Sequence, residues 1–111
     1  MSFSADWLAL REPHDTRARN PAVLNKLVAS LVGETALRIV DLACGTGSTM
    51  RALAPRISAA QNWRLVDNNL SLLARASGTA PPVGVSFTTE PLDIQYDLEA
   101  ALDGPVDLVT T

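Results

Sequence analysis

One cysteine, Cys44, and one histidine, His14, are all that the sequence holds of either residue. A single cysteine excludes an intramolecular disulfide and removes the usual basis for a cysteine-built metal site, so no metal is expected. Positive charge is also scarce. Nine Lys and Arg face twelve Asp and Glu, a net charge of −3, so no basic surface advertises nucleic acid and such a partner is disfavoured. Long apolar runs are missing too. The first twenty residues include Asp6, Arg11, Glu12, Asp15, Arg17 and Arg19 with no signal-type apolar core. No run approaches the roughly 18 residues that cross a bilayer. A cytoplasmic protein without membrane contact is the expectation.

What is present is material for one small core. Hydrophobic residues make up 47% of 111, too many for a disordered chain and enough for a single packed domain. No repeat, low-complexity tract or second domain stands out. SADWLALREP reads as a short helix capped by Ser4 and ended by Pro13, with HDTRARN able to add a turn. NPAVLNKLVASLVG is a clearer helix. Asn20 caps it, Pro21 suits its first position, and Val23, Leu24, Leu27, Val28, Leu31 and Val32 form its apolar stripe before Gly33.

From there strands and helices alternate. LRIVDLA is a nearly continuous apolar run, the mark of a strand buried on both faces. STMRALAPRI follows as a short helix bent near Pro55, then WRLVD as a strand ending in Asp67 and NLSLLARASG as a helix capped by Asn69. VSFTTEPLDI is a third strand that Pro91 confines to a sheet edge or a bulge. YDLEAALDG is a last helix and VDLVTT a fourth strand. The order β-α-β-α-β-α-β predicts an α/β fold with a parallel sheet and right-handed crossovers.

The chemistry-bearing stretch is LRIVDLACGTGST, residues 37–49. A strand running into a glycine turn and then a helix aims backbone N–H groups at a ligand beyond the strand's carboxyl end. Gly45 and Gly47 could merely reverse the chain. Asp41, four residues before Gly45, argues for more, because a carboxylate on a buried strand suits a cationic ligand above the turn. Asp67 closes the next strand, where Rossmann-like sheets place an acid to accept both ribose hydroxyls. Asp93 is expected at the end of the third strand, facing an adenine amino edge. Plainer roles exist for each: a loop acceptor, a helix cap, a turn residue. A dinucleotide loop of the G-x-G-x-x-G kind fails at Met50, and a P-loop lacks its Lys and Ser or Thr.

VDLACGTGST, WRLVDNN, LDI and VDLVTT together resemble the motifs of class I S-adenosylmethionine-dependent methyltransferases, over about residues 35 to 111. The resemblance implies a three-layer α-β-α Rossmann-like fold and S-adenosyl-L-methionine as cofactor. It implies that Asp41 and the turn Ala43, Cys44, Gly45, Thr46 and Gly47 hold the methionine part. Asp67 would take the ribose diol, Asn68 would flank the adenine, and Asp93 and Ile94 would meet its amino group and ring. Thr49 stands where the family often has another glycine. Cys44 is not expected to be a nucleophile, since His14 is far away in sequence and small residues are common there in the family. No catalytic residue is assigned.

Residues 1–34 are expected to form a helical segment that could cover the cofactor, with Arg11 able to reach its carboxylate and Trp7 and Arg17 nearby. A Trp docked on the core and a solvated Arg are the plainer alternative. Residues 35–111 are expected to be a cofactor-binding half-domain, because the family sheet has seven strands in the order 3-2-1-4-5-7-6 and only the first four are readable. The fourth would then expose an edge, which predicts a truncated methyltransferase or an assembly, such as a homodimer joined near residues 105–111. Two functions stay open: the cofactor-binding part of a methyltransferase with an unknown methyl acceptor, or a module that kept the fold and lost catalysis.

Overall fold

The computed structural model describes residues 4–18 and 20–111, without the side chains of 13–18. Expectations that involve the side chains of His14 and Arg17 lie outside the described residues. Helices α1 (Ala5–Ala18) and α2 (Pro21–Ser30) come first. Then follow β1 (Ala36–Leu42), α3 (Ser48–Leu53), β2 (Ala60–Asp67), α4 (Leu70–Ser77), β3 (Val85–Pro91), α5 (Ile94–Ala101) and β4 (Leu108–Thr110). The four strands form one parallel sheet in the order β3-β2-β1-β4. Helices cover both faces, so the architecture is a three-layer, Rossmann-like α/β fold.

Chain direction decides which helix covers which face. From β1 to β2 to β3 the chain steps one way across the sheet, and right-handed crossovers put α3 and α4 on the same side. The return from β3 to β4 puts α5 on the other. The packing shows the same division. Leu37, Ile39, Trp63 and Leu65 pack with Met50 and Leu53 of α3 and Leu73 and Ala76 of α4, and α2 adds Leu24, Leu27, Val28 and Leu31. On the opposite face Val40 and Val66 meet Ala101 of α5. Trp63, Leu65 and Val66 are wholly buried, as the apolar character of β1 and β2 requires.

Five sequence expectations need correction. The first helix does not stop at Pro13 but runs on to Ala18, because proline's fixed φ is itself helical and removes one hydrogen bond without forbidding the next turn. The stripe of α2 is narrower than predicted, with Val23 and Val32 exposed. The third strand ends at Pro91, not Ile94, since proline has no N–H to continue the ladder. Asp93 instead caps α5, accepting a hydrogen bond from Gln95 N at 2.9 Å, and so α5 starts two residues earlier than Tyr96. The fourth strand pairs only over Leu108–Thr110.

Other features follow the sequence closely. Asn20 and Asn69 cap α2 and α4 through their side-chain oxygens. Past Leu53 the helix tightens into a 3₁₀ turn over Ala54–Arg56, where Pro55 withholds its N–H. Pro91 sits on an edge strand. No described helix is long and apolar enough to cross a membrane.

Candidate functional site

The glycine turn begins where β1 runs out. Cys44 N still donates to Val66 O at 2.9 Å, so the chain stays beside β2 for two residues beyond the strand. Gly47 N then donates to Cys44 O at 3.0 Å and closes a tight turn. Gly45 and Gly47 have φ of 59° and 90°, values that L side chains avoid. Ala43 has φ of 54° without being glycine, a strained conformation held at the turn's entrance.

Asp67, the last residue of β2, reaches back to this turn. Its Oδ2 accepts from Gly45 N and its Oδ1 from Asn69 N, both at 2.9 Å. The acid therefore ties the first turn to the second strand and orders the entry to α4. A carboxylate offers roughly four acceptor positions, so these two backbone donors leave room for a diol.

A cleft of about 220 Å³ opens at the carboxyl ends of the strands, lined by Ala43, Asp67, Asn68, Leu92, Asp93 and Ile94. Five of the ten residues singled out from the sequence thus line one space: Ala43, Asp67, Asn68, Asp93 and Ile94. Parallel strands end on the same side, which is why residues 26 apart in sequence, Asp67 and Asp93, share it. Leu92, within the LDI stretch, carries no site role in the sequence reading. Its apolar side chain and that of Ile94 give the cleft a wall suited to a flat ring.

The other five residues do not line the cleft. Asp41 is 1% exposed and its Oδ1 accepts from Thr110 Oγ1 at 2.8 Å. Thr110 is its partner in the β1–β4 register, so the acid ties the central strand to its neighbour. Gly45 and Gly47 shape the loop, and Cys44 and Thr46 are buried in it. Burial, with the charges of Asp41 and Asp67 added, pushes the Cys44 thiol up to about 12. Its Sγ lies 3.4 Å from Gly45 O. The thiol is held protonated and has none of the surroundings of a nucleophile.

Helix α1 lies across the loop. Leu8 Cδ1 comes within 3.7 Å of where a Cβ on Gly45 would stand. Arg51 of α3 joins the two elements, donating to Thr46 O and Oγ1 and to both carboxylate oxygens of Glu12. Neither Arg51 nor Glu12 was singled out from the sequence. The only signal was the spacing of Arg51, one turn beyond Gly47. Arg11, for which a reach to a cofactor carboxylate and a plainer solvated role were both open, stacks on Trp7, 5.0 Å from the ring centroid, and Trp7 is half-exposed rather than docked on the core.

No family model matches the chain, and no curated protein matches it. Among solved structures, it is similar to a chain in the complex between the Haloferax volcanii Trm112 methyltransferase activator and a candidate methyltransferase. Identity there is 21% over 77% of this chain and 36% of that one, with a TM-score of 0.46. It is also similar to an S-adenosylmethionine dependent methyltransferase from Mesorhizobium loti, at 27% identity over 68% of this chain and 31% of that one, TM-score 0.47. The chain spans about a third of the length of these structures.

Proposed function

We propose that the chain is the cofactor-binding part of an S-adenosylmethionine-dependent methyltransferase that acts on an acceptor yet to be identified. The observation that carries this reading is the cleft itself. A strand-end acid with spare acceptor positions faces an apolar wall beside a glycine turn. Those are the parts a nucleoside needs: hydroxyl acceptors for its sugar and apolar surface for its base. In this reading Asp67 takes the ribose diol, and Asn68, Leu92, Asp93 and Ile94 surround the adenine. The turn from Ala43 to Gly47, with Asp41 behind it, holds the methionine part. A cytoplasmic setting belongs to the same reading.

When bound, S-adenosylmethionine supplies an electrophilic methyl group. The chain's own residues bind and orient. Asp67 and the glycine turn, already hydrogen-bonded to each other, are set before a ligand arrives; holding methyl donor and acceptor in line would then lower the barrier, by roughly 7–11 kcal/mol in favourable cases. Titration calorimetry with S-adenosylhomocysteine tests the reading. Asp67→Asn keeps the shape but removes the charge and an acceptor, and should weaken binding roughly 10- to 100-fold, the worth of a hydrogen bond to a charged group. Binding that is absent from the intact chain, or unmoved by this change, overturns it.

A second reading, a module that assembles rather than catalyses, is favoured by β4. That strand has one ladder partner among the described residues, and Val109 is exposed on it. Self-association along this edge would appear in light scattering as a concentration-dependent dimer lost on Val109→Lys. A monomer at every concentration overturns it.

A further inference from the structure

Building on the cofactor reading above, we propose that Arg51 is a positioning residue of the glycine turn, fixing Thr46 from α3 and coupling the turn to the docking of α1 through Glu12. Arg51 Nη1 donates to Thr46 O at 2.6 Å and Nη2 to Thr46 Oγ1 at 3.0 Å, so one guanidinium holds both the backbone and the side chain of the turn's central residue. The remaining edge of the fork meets Glu12, Nε to Oε2 at 2.7 Å and Nη2 to Oε1 at 2.5 Å. Both side chains are about three-quarters buried, at 27% and 23% exposure, which shields the pair from the solvent screening that makes surface ion pairs weak.

The arrangement needs arginine. A planar fork with five donors can serve a carboxylate and a peptide oxygen at once, whereas a lysine ammonium is a single point at the end of a flexible stem. The turn needs such a clasp. Thr46 lies between two glycines in left-handed conformations, which lack side chains of their own to fix the turn by packing. A Cβ on Gly47 would stand 3.5 Å from Arg51 Nη1, which puts the guanidinium directly against the turn. Asp67 grips Gly45 from β2 and Arg51 grips Thr46 from α3, so adjacent residues of the turn are held from two elements.

On the other side, the described part of α1 packs through one face. Ala5, Leu8 and Glu12 are the less exposed positions over residues 4–12, spaced to fall on one helix face. Asp6 pairs with Arg75 of α4 at 3.1 Å, but that pair is exposed and contributes little. Leu8 against the turn and Glu12 on Arg51 join the docked face of α1 directly to the loop. Because one guanidinium serves both, a ligand that requires the turn ordered must also favour docked α1, and the coupling is reciprocal.

Hydrogen exchange of the ligand-free chain over residues 4–12 and 43–51, with calorimetric titration of S-adenosylhomocysteine, tests this. Glu12→Gln leaves the bonds from Arg51 to Thr46 available and alters only a partly exposed side chain, so the fold is retained. It should speed exchange in both segments and weaken binding about fivefold or more. Arg51→Ala should weaken binding at least about tenfold, with Arg51→Lys recovering only part of the loss. Exchange over 43–51 that is unchanged in Glu12→Gln, or an Arg51→Lys chain that matches the wild type in exchange, overturns the proposal. Wild-type chain that fails to bind S-adenosylhomocysteine overturns the cofactor reading instead, while exchange in the ligand-free protein still decides the role of Arg51.

Discussion

Asp67 Oδ2 accepts a hydrogen bond from Gly45 N at 2.9 Å, across 22 residues of chain. The residue proposed to bind a sugar is therefore also a structural tie, and its removal should show in the ligand-free protein. Asp67→Ala leaves Gly45 N and Asn69 N without this acceptor, at a cost of about 1–3 kcal/mol for each group that water does not reach. Asp67→Asn, which keeps one side-chain oxygen, should recover part of that. Urea denaturation followed by far-ultraviolet circular dichroism separates the two. If the alanine variant is as stable as the wild type, the tie is not made.

Cys44 gives a pH signature of known sign. Its thiol is raised in the folded chain from 9.0 to about 12, by burial first and by Asp41 and Asp67 after it. A group with a raised folded value contributes stability that is fully present below its unfolded value and is lost as pH rises through the folded one. The stability difference between wild type and Cys44→Ala should therefore be flat below pH 9 and shift against the wild type from there to about 12. Below pH 9 the buried thiol therefore holds far less thiolate than an exposed one. Iodoacetamide should label the native chain far more slowly than the urea-unfolded chain. Equal rates would refute the burial.

What was legible in the sequence and what was not divides along physical lines. Strands β1 and β2 were readable because a run such as Leu37, Ile39 and Val40 has no reason to exist except burial. The convergence of Asp67 and Asn68 with Ala43 was readable because strand, turn and helix follow one another in a fixed geometry once the sheet is parallel. Asp93 was misplaced because an acid that ends a strand and an acid that caps a helix look the same in sequence, and only the hydrogen bond to Gln95 N tells them apart. The clasp between Arg51 and Glu12 was invisible for a different reason. It joins residues 39 apart, and Trp7 and Leu10, the large apolar residues flanking Leu8, stay exposed, so apolar character did not mark the docking face. The tie from Thr110 to Asp41 was hidden likewise, since it depends on the strand register.

Ala43 supplies a prediction in which the variant is the more stable protein. Its φ of 54° costs an L-residue about 1–2 kcal/mol that glycine does not incur. Replacing alanine by glycine also loosens the unfolded chain, which takes back roughly 0.4–1 kcal/mol. Ala43→Gly should therefore gain between about 0 and 1.6 kcal/mol, and Ala43→Val, a β-branched residue in the same conformation, should lose stability clearly. Thermal melts of the three chains rank them. Valine ranking level with alanine would mean the turn relaxes out of the left-handed region.

Gln61 makes the strongest test of the core. It is 4% exposed, and its Nε2 lies 3.1 Å from Ala54 O, 3.2 Å from Ile57 O and 3.4 Å from Ala59 O. Its Oε1 accepts from the indole Nε1 of the fully buried Trp63 at 2.9 Å. One amide thus serves the indole and the 3₁₀ turn that leads into β2. Gln61→Leu fills nearly the same volume with apolar atoms, so simple burial would score it as harmless. It leaves the indole N–H without its acceptor in a place water does not reach, at about 1–3 kcal/mol, and frees the carbonyls of the turn. Gln61→Glu puts a carboxyl group in the same buried place, where the ionised form is disfavoured. It should approach wild-type stability only at low pH, where the protonated acid can both donate and accept. Chemical denaturation at pH 5 and pH 8 should therefore show the leucine variant equally weakened at both and the glutamate variant weakened more at pH 8. A leucine variant as stable as the wild type would mean that the indole finds another partner.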